Sequence, residues 1–503
     1  MNKRFVLICI LVLITAAIPR GIEVLSGNYL FGFDQGLFFQ DVKKIVIDHR
    51  LTLIGPYTGG QGGLFQGSGW YYLLSIPFFL TNGNPYGAMI LMFLLGLATV
   101  GFAIFYGSKM FGQKTGIIIG FLIAISSAII AQSRFIWSPF PISLLSVFYL
   151  YFLYQTLLKK QKFILLATFT IGLMSHFETA IAGTLFLQFM LLSPFMLAKK
   201  LVSLRYYLLS IGSFLLTMLP LFLFNFKHNS ILLNGILNLF PKTSGASAHE
   251  IFLWKILSNH FDVFRFNFLS IFQSSHILWP VILAIFLIGT IFYLKDKKKS
   301  FAQKLFVLYL ATSPITLFLV FMLYLWPIWE WWILELMIFY SFLFGILSVY
   351  VLKKRILRPF IIAVYVIFSW SFINQTIGWY KNDFNDYGGT QKIKGKLDAI
   401  DYIYKDYLKS SAYKDAKGEK FGLLVFSPPV YTYPYDYLLW WYGKRKYGFI
   451  PTSDKKGTFY LLIEPDLHKP WSYNGWLETV IKTGRIIKTQ ELPNGFIVQK
   501  RVE

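Results

Sequence analysis

Long apolar runs separated by short polar breaks dominate the chain. They fall at about 5–19, 85–107, 116–133, 140–158, 163–177, 178–198, 206–226, 276–294, 305–326, 329–351 and 358–376. Runs near 20 apolar residues match the thickness of a bilayer's hydrocarbon core, so the pattern predicts eleven transmembrane helices, with 163–198 a hairpin turning near His176. The first run follows Asn2-Lys3-Arg4 and is read as an uncleaved span, although its charge, length and Ala16-Ala17 also fit a signal peptide. Beyond 376 the runs shorten to strand length at 421–426, 459–463 and 496–499, after a stretch with helical spacing at Ile393, Leu397, Ile400, Ile403 and Tyr404. Residues 377–503 are therefore expected to form a small α/β domain with a late hairpin turning at Asn494-Gly495. Residues 1–376 are expected to form the transmembrane module, with 20–84 and 227–275 as its large external segments.

Composition agrees with this division. Of 503 residues, 55% are hydrophobic and only 14% charged, against about 25% charged in soluble domains. That excludes disorder, a coiled coil and an ordinary cytosolic enzyme. The formal charge of +24 would suggest nucleic acid in a soluble protein, but here it alternates with the spans. Lys109/Lys114, Lys159/Lys160/Lys162, Lys199/Lys200/Arg205, Lys295–Lys304 and Lys353–Arg358 occupy every second connection, with Asp296 the one acid among them. By the positive-inside rule these connections are cytoplasmic. The expected protein is a multi-pass plasma-membrane protein with a cytoplasmic N-terminus, an extracytoplasmic C-terminal domain and no nucleic-acid partner. The lone Cys9 permits neither an intrachain disulfide nor a cysteine metal site.

The external segments hold the candidate chemistry. Phe33-Asp34-Gln35-Gly36 opens an amphipathic stretch reaching Arg50, with Phe38, Val42, Ile45 and Val46 on one face, as in a helix lying along the membrane interface. Asp34 is either a general base facing an acceptor hydroxyl or the N-cap of that helix; Asp41 and Asp48 read as solvated. The glycine- and proline-rich 53–63 is expected to be a close-packed loop, neither span nor strand. Trp70 and Tyr71 open a second interfacial helix. Arg134 is the only cation of its turn and needs a partner so near hydrocarbon: a lipid phosphate, or water reached by snorkelling. His176 and Glu178 are either two ligands of a divalent ion, too few for a convincing site, or a hydrogen-bonded structural pair. Lys227 and His228 place cations where a phosphate fits, or anchor a helix end. Residues 242–249 are small and polar, as in a lid. The aromatic run 431–442 is able to stack on sugar rings, or to form the core of the C-terminal domain.

Together these residues resemble the C-type (GT-C) integral-membrane glycosyltransferases. They are similar in particular to glycosyltransferase family 39, which resembles the protein O-mannosyltransferases and the aminoarabinose transferases of lipid A. The resemblance rests on Phe33-Asp34-Gln35-Gly36 after the first span and on the two interfacial helices. It rests also on Arg134-Phe135-Ile136-Trp137-Ser138-Pro139, on Ser175-His176-Phe177-Glu178, and on 220–229. It covers most of the chain, with three departures: Gln35 where many relatives carry Glu, Ser138 for Asn, and Ser68-Gly69-Trp70 for Pro-Pro-Leu. It implies inverting transfer of a sugar from a polyprenyl-phosphate donor to a glycan, lipid or protein acceptor at the outer face, among membrane lipids. By the same resemblance Asp34 is the base, and Arg134, Lys227 and His228 neutralise the departing phosphate. Gln35, Trp70, Tyr71, His176 and Glu178 line the pocket, and no metal or other cofactor is expected. The alternatives are a non-enzymatic flippase or exporter of lipid-linked sugars, which would place charges inside spans, and a glycan ligase or polymerase, which would need no carboxylate in the first loop.

Overall fold

The structure is a computed structural model describing residues 3–58, 64–238, 246–272, 275–324, 326–410, 420–428, 431–466, 468–469 and 471–503. Five of its helices are long and apolar enough to cross a membrane: Tyr86–Phe111, Thr179–Ala198, Ile277–Lys295, Phe301–Phe321 and Arg358–Phe384. A sixth span arises if Leu204–Thr217 and Leu219–Lys227, bent by 57°, are taken as one. Further apolar helices are shorter, among them Gln113–Ile125, Ile142–Leu157, Phe163–Met174 and Glu335–Val351.

The apolar runs correspond to these long helices and to the shorter ones, and the breaks between them have local causes. Ser126, at ψ 118°, leaves the helical region and divides 116–133 into Gln113–Ile125 and Ser127–Gln132. Pro220, in the first turn of Leu219–Lys227, lacks the N–H that would continue the preceding helix. The outward faces are apolar. Along Arg358–Trp379, Phe360, Val366 and Trp370 are each more than 60% exposed, the reverse of a water-facing surface and the expected face toward lipid. Glu335–Val351 is buried along its whole length except at Val349 and Tyr350, as a helix surrounded by others must be. Tyr86–Phe111 and Gln113–Ile125 meet through glycines. A Cβ on Gly116 would stand 2.4 Å from the Ile104 carbonyl oxygen, and one on Gly120 would stand 2.1 Å from the Ile104 side chain. Small residues let helix backbones approach this closely in a bilayer.

Between the first helix, Lys3–Arg20, and Tyr86 lie Phe33–Val46 and Gly69–Leu80, joined by strands β1 (Ile54–Tyr57) and β2 (Phe65–Gly67) in an antiparallel pair. The expectation of two helices here holds, but that of a strand-free loop over 53–63 does not. A two-stranded ribbon tolerates Pro56 because each strand is an edge. Gly55 is what brings the strands together, since a Cβ there would sit 2.2 Å from the Gly67 carbonyl oxygen. Residues 59–63 of that expected loop lie outside the described residues. So do 242–245 of the expected lid, while its last residues begin the helix Ala246–Ile271.

Toward the C-terminus, helix Ile393–Lys409 precedes a four-stranded sheet of order β3-β4-β6-β5. Its strands are β3 (Gly422–Phe426), β4 (Thr458–Ile463), β5 (Arg485–Glu491) and β6 (Ile497–Val502). β3 and β4 run parallel and the other pairs antiparallel. Alternation along β4 sends Tyr460 and Leu462 into the main core with Tyr404 and Tyr407, and Phe459, Leu461 and Ile463 to the opposite face with Ile481. The expected hairpin is present: Leu492 and Phe496 close the β5–β6 turn, with Gly495 at φ 87°. The sequence reading missed β5, an exposed and charged edge strand. This part of the chain is tied to the segment before Asp34. Phe31 N–H donates to the Gln391 carbonyl at 3.2 Å and Ile393 N–H to the Tyr29 carbonyl at 2.9 Å. The Asn28 amide donates to the Asp386 and Tyr387 carbonyls at 3.1 and 3.0 Å.

Candidate active site

Asp34 is the second residue of Phe33–Val46 and does not cap it. The N-cap is Gly32, whose N–H donates to the Gln35 Oε1 at 2.9 Å. The Gln35 amide in turn donates to the Ile136 carbonyl at 2.8 Å, fastening the 134–139 turn to the helix start. Gln35 is thus a buried clasp. The clasp brings the Trp137 indole N–H to the Asp34 carboxylate. Burial raises the Asp34 pKa above the ordinary aspartate range, and the indole N–H opposes that rise. Asp34 is in none of the ion pairs among the described residues. Trp137 also packs edge-on against Trp331 at 5.0 Å, which stacks on Trp329 at 5.1 Å.

The second interfacial helix completes this wall. Trp70, fully buried, meets Phe38 edge-on at 5.8 Å. The buried Tyr71 hydroxyl faces Asp41 and lies within electrostatic range of Asp34; burial first, then the two carboxylates, hold it protonated. Asp41, read from sequence as solvated, therefore shares Tyr71 with Asp34 while also pairing with Lys44 at 2.7 Å.

Arg134 has the partner that its position demanded, and the partner is protein. Its Nε and Nη2 donate to the Glu23 carboxylate at 2.7–2.9 Å, its Nη2 also donates to Asp383 at 2.6 Å, and the guanidinium lies 5.0 Å from the Trp379 ring. Burial works against the charge, but the two carboxylates outweigh it and raise the guanidinium pKa. One cation held by two acids is a net negative cluster, which a lipid phosphate would have to break open. Arg134 forms a tie between 23, 134 and 383. Sequence could not show it, because the acids stand 111 and 249 residues away.

His176 and Glu178 make no hydrogen bond to each other. His176 Nδ1 accepts from Gly69 N–H at 3.0 Å and its Nε2 faces the Thr217 carbonyl at 2.9 Å, which sets the proton on Nε2. A Cβ on Gly67 would stand 2.3 Å from that ring, so the glycines exist to admit the imidazole. Glu178 is the N-cap of Thr179–Ala198, accepting from Ala180 N–H at 3.3 Å. His176 thus ties the start of Gly69–Leu80 to the end of Leu204–Thr217, and Glu178 caps its own helix. Lys227 and His228 end Leu219–Lys227 in the open: His228 lies on Phe224 at 4.2 Å, and Phe224 on Phe65 of β2 at 6.0 Å. Lys227 is exposed and makes no ion pair among the described residues.

One buried acid has no such explanation. Glu335 is fully buried at the start of the central helix, and neither carboxylate oxygen has a hydrogen-bond partner among the described residues. It lies one helical turn beyond Trp331. From sequence, Glu330 and Glu335 stand out as the notable charges inside a span. Among the described residues no three His, Cys, Asp or Glu side chains group as a metal site.

No protein-family model matches the chain, and neither does any curated protein. Solved structures do. ArnT from Cupriavidus metallidurans in the apo state aligns over 98% of this chain and 97% of its own, at TM-score 0.59 and 11% identity. The same protein bound to undecaprenyl phosphate aligns over the same shares at 0.58 and 10%. The Archaeoglobus fulgidus oligosaccharyltransferase in complex with Zn and sulfate aligns over 97% of this chain and 72% of its own, at 0.55 and 15%. The chain is therefore a polytopic helical membrane protein of GT-C fold, as its motifs implied.

Proposed function

We propose that the protein is a family-39-like glycosyltransferase. In this reading it moves a sugar from a polyprenyl-phosphate donor to an acceptor hydroxyl at the extracytoplasmic face of the plasma membrane. The observation that carries the reading is Asp34, which joins none of the ion pairs among the described residues and meets the Trp137 indole N–H, in a GT-C fold. The names of two aligned structures support it, one being an oligosaccharyltransferase and the other ArnT bound to undecaprenyl phosphate.

The chemistry follows from the charges. The acceptor oxygen attacks the anomeric carbon from the side opposite the phosphate, the C–O bond to phosphate breaks, and the acceptor proton passes to Asp34. Configuration inverts, and polyprenyl phosphate leaves with the bond's electron pair. A raised carboxyl pKa makes Asp34 a stronger base than a solvated aspartate. The negative charge growing on the leaving phosphate draws on Lys227 and His228 at the outer end of their helix. Arg134 acts at one remove, holding the turn that carries Trp137.

Asp34→Asn tests the reading. A positioned general base contributes about 10²–10⁴-fold, so the variant should assemble normally and lose at least about a hundredfold in polyprenyl-phosphate release. Full activity in Asp34→Asn removes the assignment. Sugar translocated without release of polyprenyl phosphate would point to a carrier instead.

A further inference from the structure

Three aromatic rings cluster where the chain reaches Asp34. Phe33, the residue before it, contacts Tyr431 edge-on at 5.5 Å and Tyr433 at 5.2 Å. Tyr431 and Tyr433 stack face to face at 5.4 Å with only 12° between their planes. Two tyrosines in such register next to a phenylalanine would ordinarily be core, yet Tyr431 is 56% exposed. Contact with the Asp34 helix is intimate. A Cβ on Gly36 would stand 2.3 Å from Pro434 N, and the Gln40 amide donates to the Tyr433 carbonyl at 3.1 Å. Gly36 lies only two residues, about 3 Å of helix axis, from Asp34. The rim is polar: Thr432 Oγ1 donates to the exposed Asp436 carboxylate at 3.0 Å, and the Gln40 amide lies alongside.

We infer that Tyr431 and Tyr433, backed by Phe33, form a stacking platform for a pyranose ring of the acceptor. The acceptor class is then a glycan. This inference rests on the proposed transferase reading and deepens it. A sugar ring has an apolar C–H face that lies on an aromatic face and an equator of hydroxyls that needs acceptors and donors; the platform supplies both within one element. An acyl chain would need an apolar rim in place of Asp436, Thr432 and Gln40. An anionic headgroup would need a cation where the rim has an acid.

The test is saturation-transfer NMR on the full chain in nanodiscs, titrated with neutral trisaccharides (cellotriose, maltotriose, mannotriose and chitotriose). At least one should take up saturation at its ring C–H protons. Tyr431→Ala should weaken that binding at least about tenfold, a loss of about 1.4 kcal/mol, and Tyr431→Phe should retain it. Asp34→Asn should bind the sugar as wild type does while failing to transfer. If none of the trisaccharides binds wild type, or Tyr431→Ala binds as well as wild type, the platform assignment falls. It also falls if Tyr431→Ala loses affinity only for a lipid or peptide probe. Transfer retained in Asp34→Asn removes only the base assignment, whereas wild type that releases no polyprenyl phosphate overturns the transferase reading and leaves the binding result to stand alone.

Discussion

Trp137→Phe isolates the one contact that tunes the proposed base. The Asp34 carboxyl is pushed up by burial and pulled back by the Trp137 indole N–H. Phenylalanine keeps a ring against Trp331 and Phe140, which lie 5.0 and 5.3 Å from the indole, but has no donor. A hydrogen bond to a charged group contributes about 1.5–3 kcal/mol, and one pKa unit corresponds to about 1.36 kcal/mol. Because Asp34 is only half-buried, water replaces part of the lost bond, and the lower end of that range applies. The carboxyl pKa should therefore climb by about one further unit. The sign follows from the base's ionisation. It works only when deprotonated, so activity is present above its pKa and lost as pH falls through it, and a higher pKa moves that loss to higher pH. The assay is polyprenyl-phosphate release as kcat/KM against pH for wild type and Trp137→Phe. The acidic limb should move upward by about one unit, with rates converging on the plateau above it. An unmoved limb, or one displaced toward acid, refutes the argument.

Other expectations follow from the same geometry. Gly67→Ala should drive a methyl into the His176 ring, 2.3 Å away. Overpacking of this kind costs about 1–3 kcal/mol, read as a lower Tm, whereas a silent substitution would mean the imidazole is free to move. Arg134→Ala strips the cation from Glu23 and Asp383. Breaking a buried pair costs about 3–5 kcal/mol, so folded yield should fall, and Arg134→Ala combined with Glu23→Ala should recover part of it. A stable Arg134→Ala with a raised donor KM alone would point to the phosphate role. Glu335→Leu removes two buried oxygens, unpartnered among the described residues, and should raise Tm, since an unsatisfied buried polar group costs about 1–3 kcal/mol. If Tm rises while transfer is lost, the acid serves the reaction.

How much of this was legible depends on the distance over which each signal acts. Local signals read well. The amphipathic spacing from Phe33 and the apolar fragments at 459–463 and 496–499 lie within a few residues of strands or helices in the structure. The Asn494-Gly495 turn does too, because period and turn chemistry are properties of neighbouring residues. Helix breaks read poorly, since a hydropathy run continues through Ser126 and Pro220 while the backbone does not. The hairpin at Ile54–Tyr57 was hidden because Gly55 and Pro56 look like loop residues until the opposing Gly67 is known. Long-range partners were not legible at all. Arg134 called for a counter-charge, but nothing near it in sequence named Glu23 or Asp383. Gln35, a departure from the family pattern, looked like a lost carboxylate, yet its amide is the clasp that brings Trp137 to Asp34.

The clasp and the C-terminal ties act on the same short stretch, and this constrains any mechanism. Residues 28–31 are hydrogen-bonded to 386–394, Gln35 to the 134–139 turn, and Gly36 and Gln40 abut 433–434. Phe33–Val46 is therefore held at its start by the transmembrane turn and by the C-terminal part of the chain together. A motion that swung the C-terminal part away would carry Tyr431 and Tyr433 with it and unlatch the segment preceding Asp34. An acceptor that enters by such an opening would find base and platform apart, and would bring them together only as it closes. Acceptor binding should then slow hydrogen exchange at the Phe31 and Ile393 amides, which form the tie. Unchanged exchange at both would place the acceptor's entrance elsewhere, between the two interfacial helices.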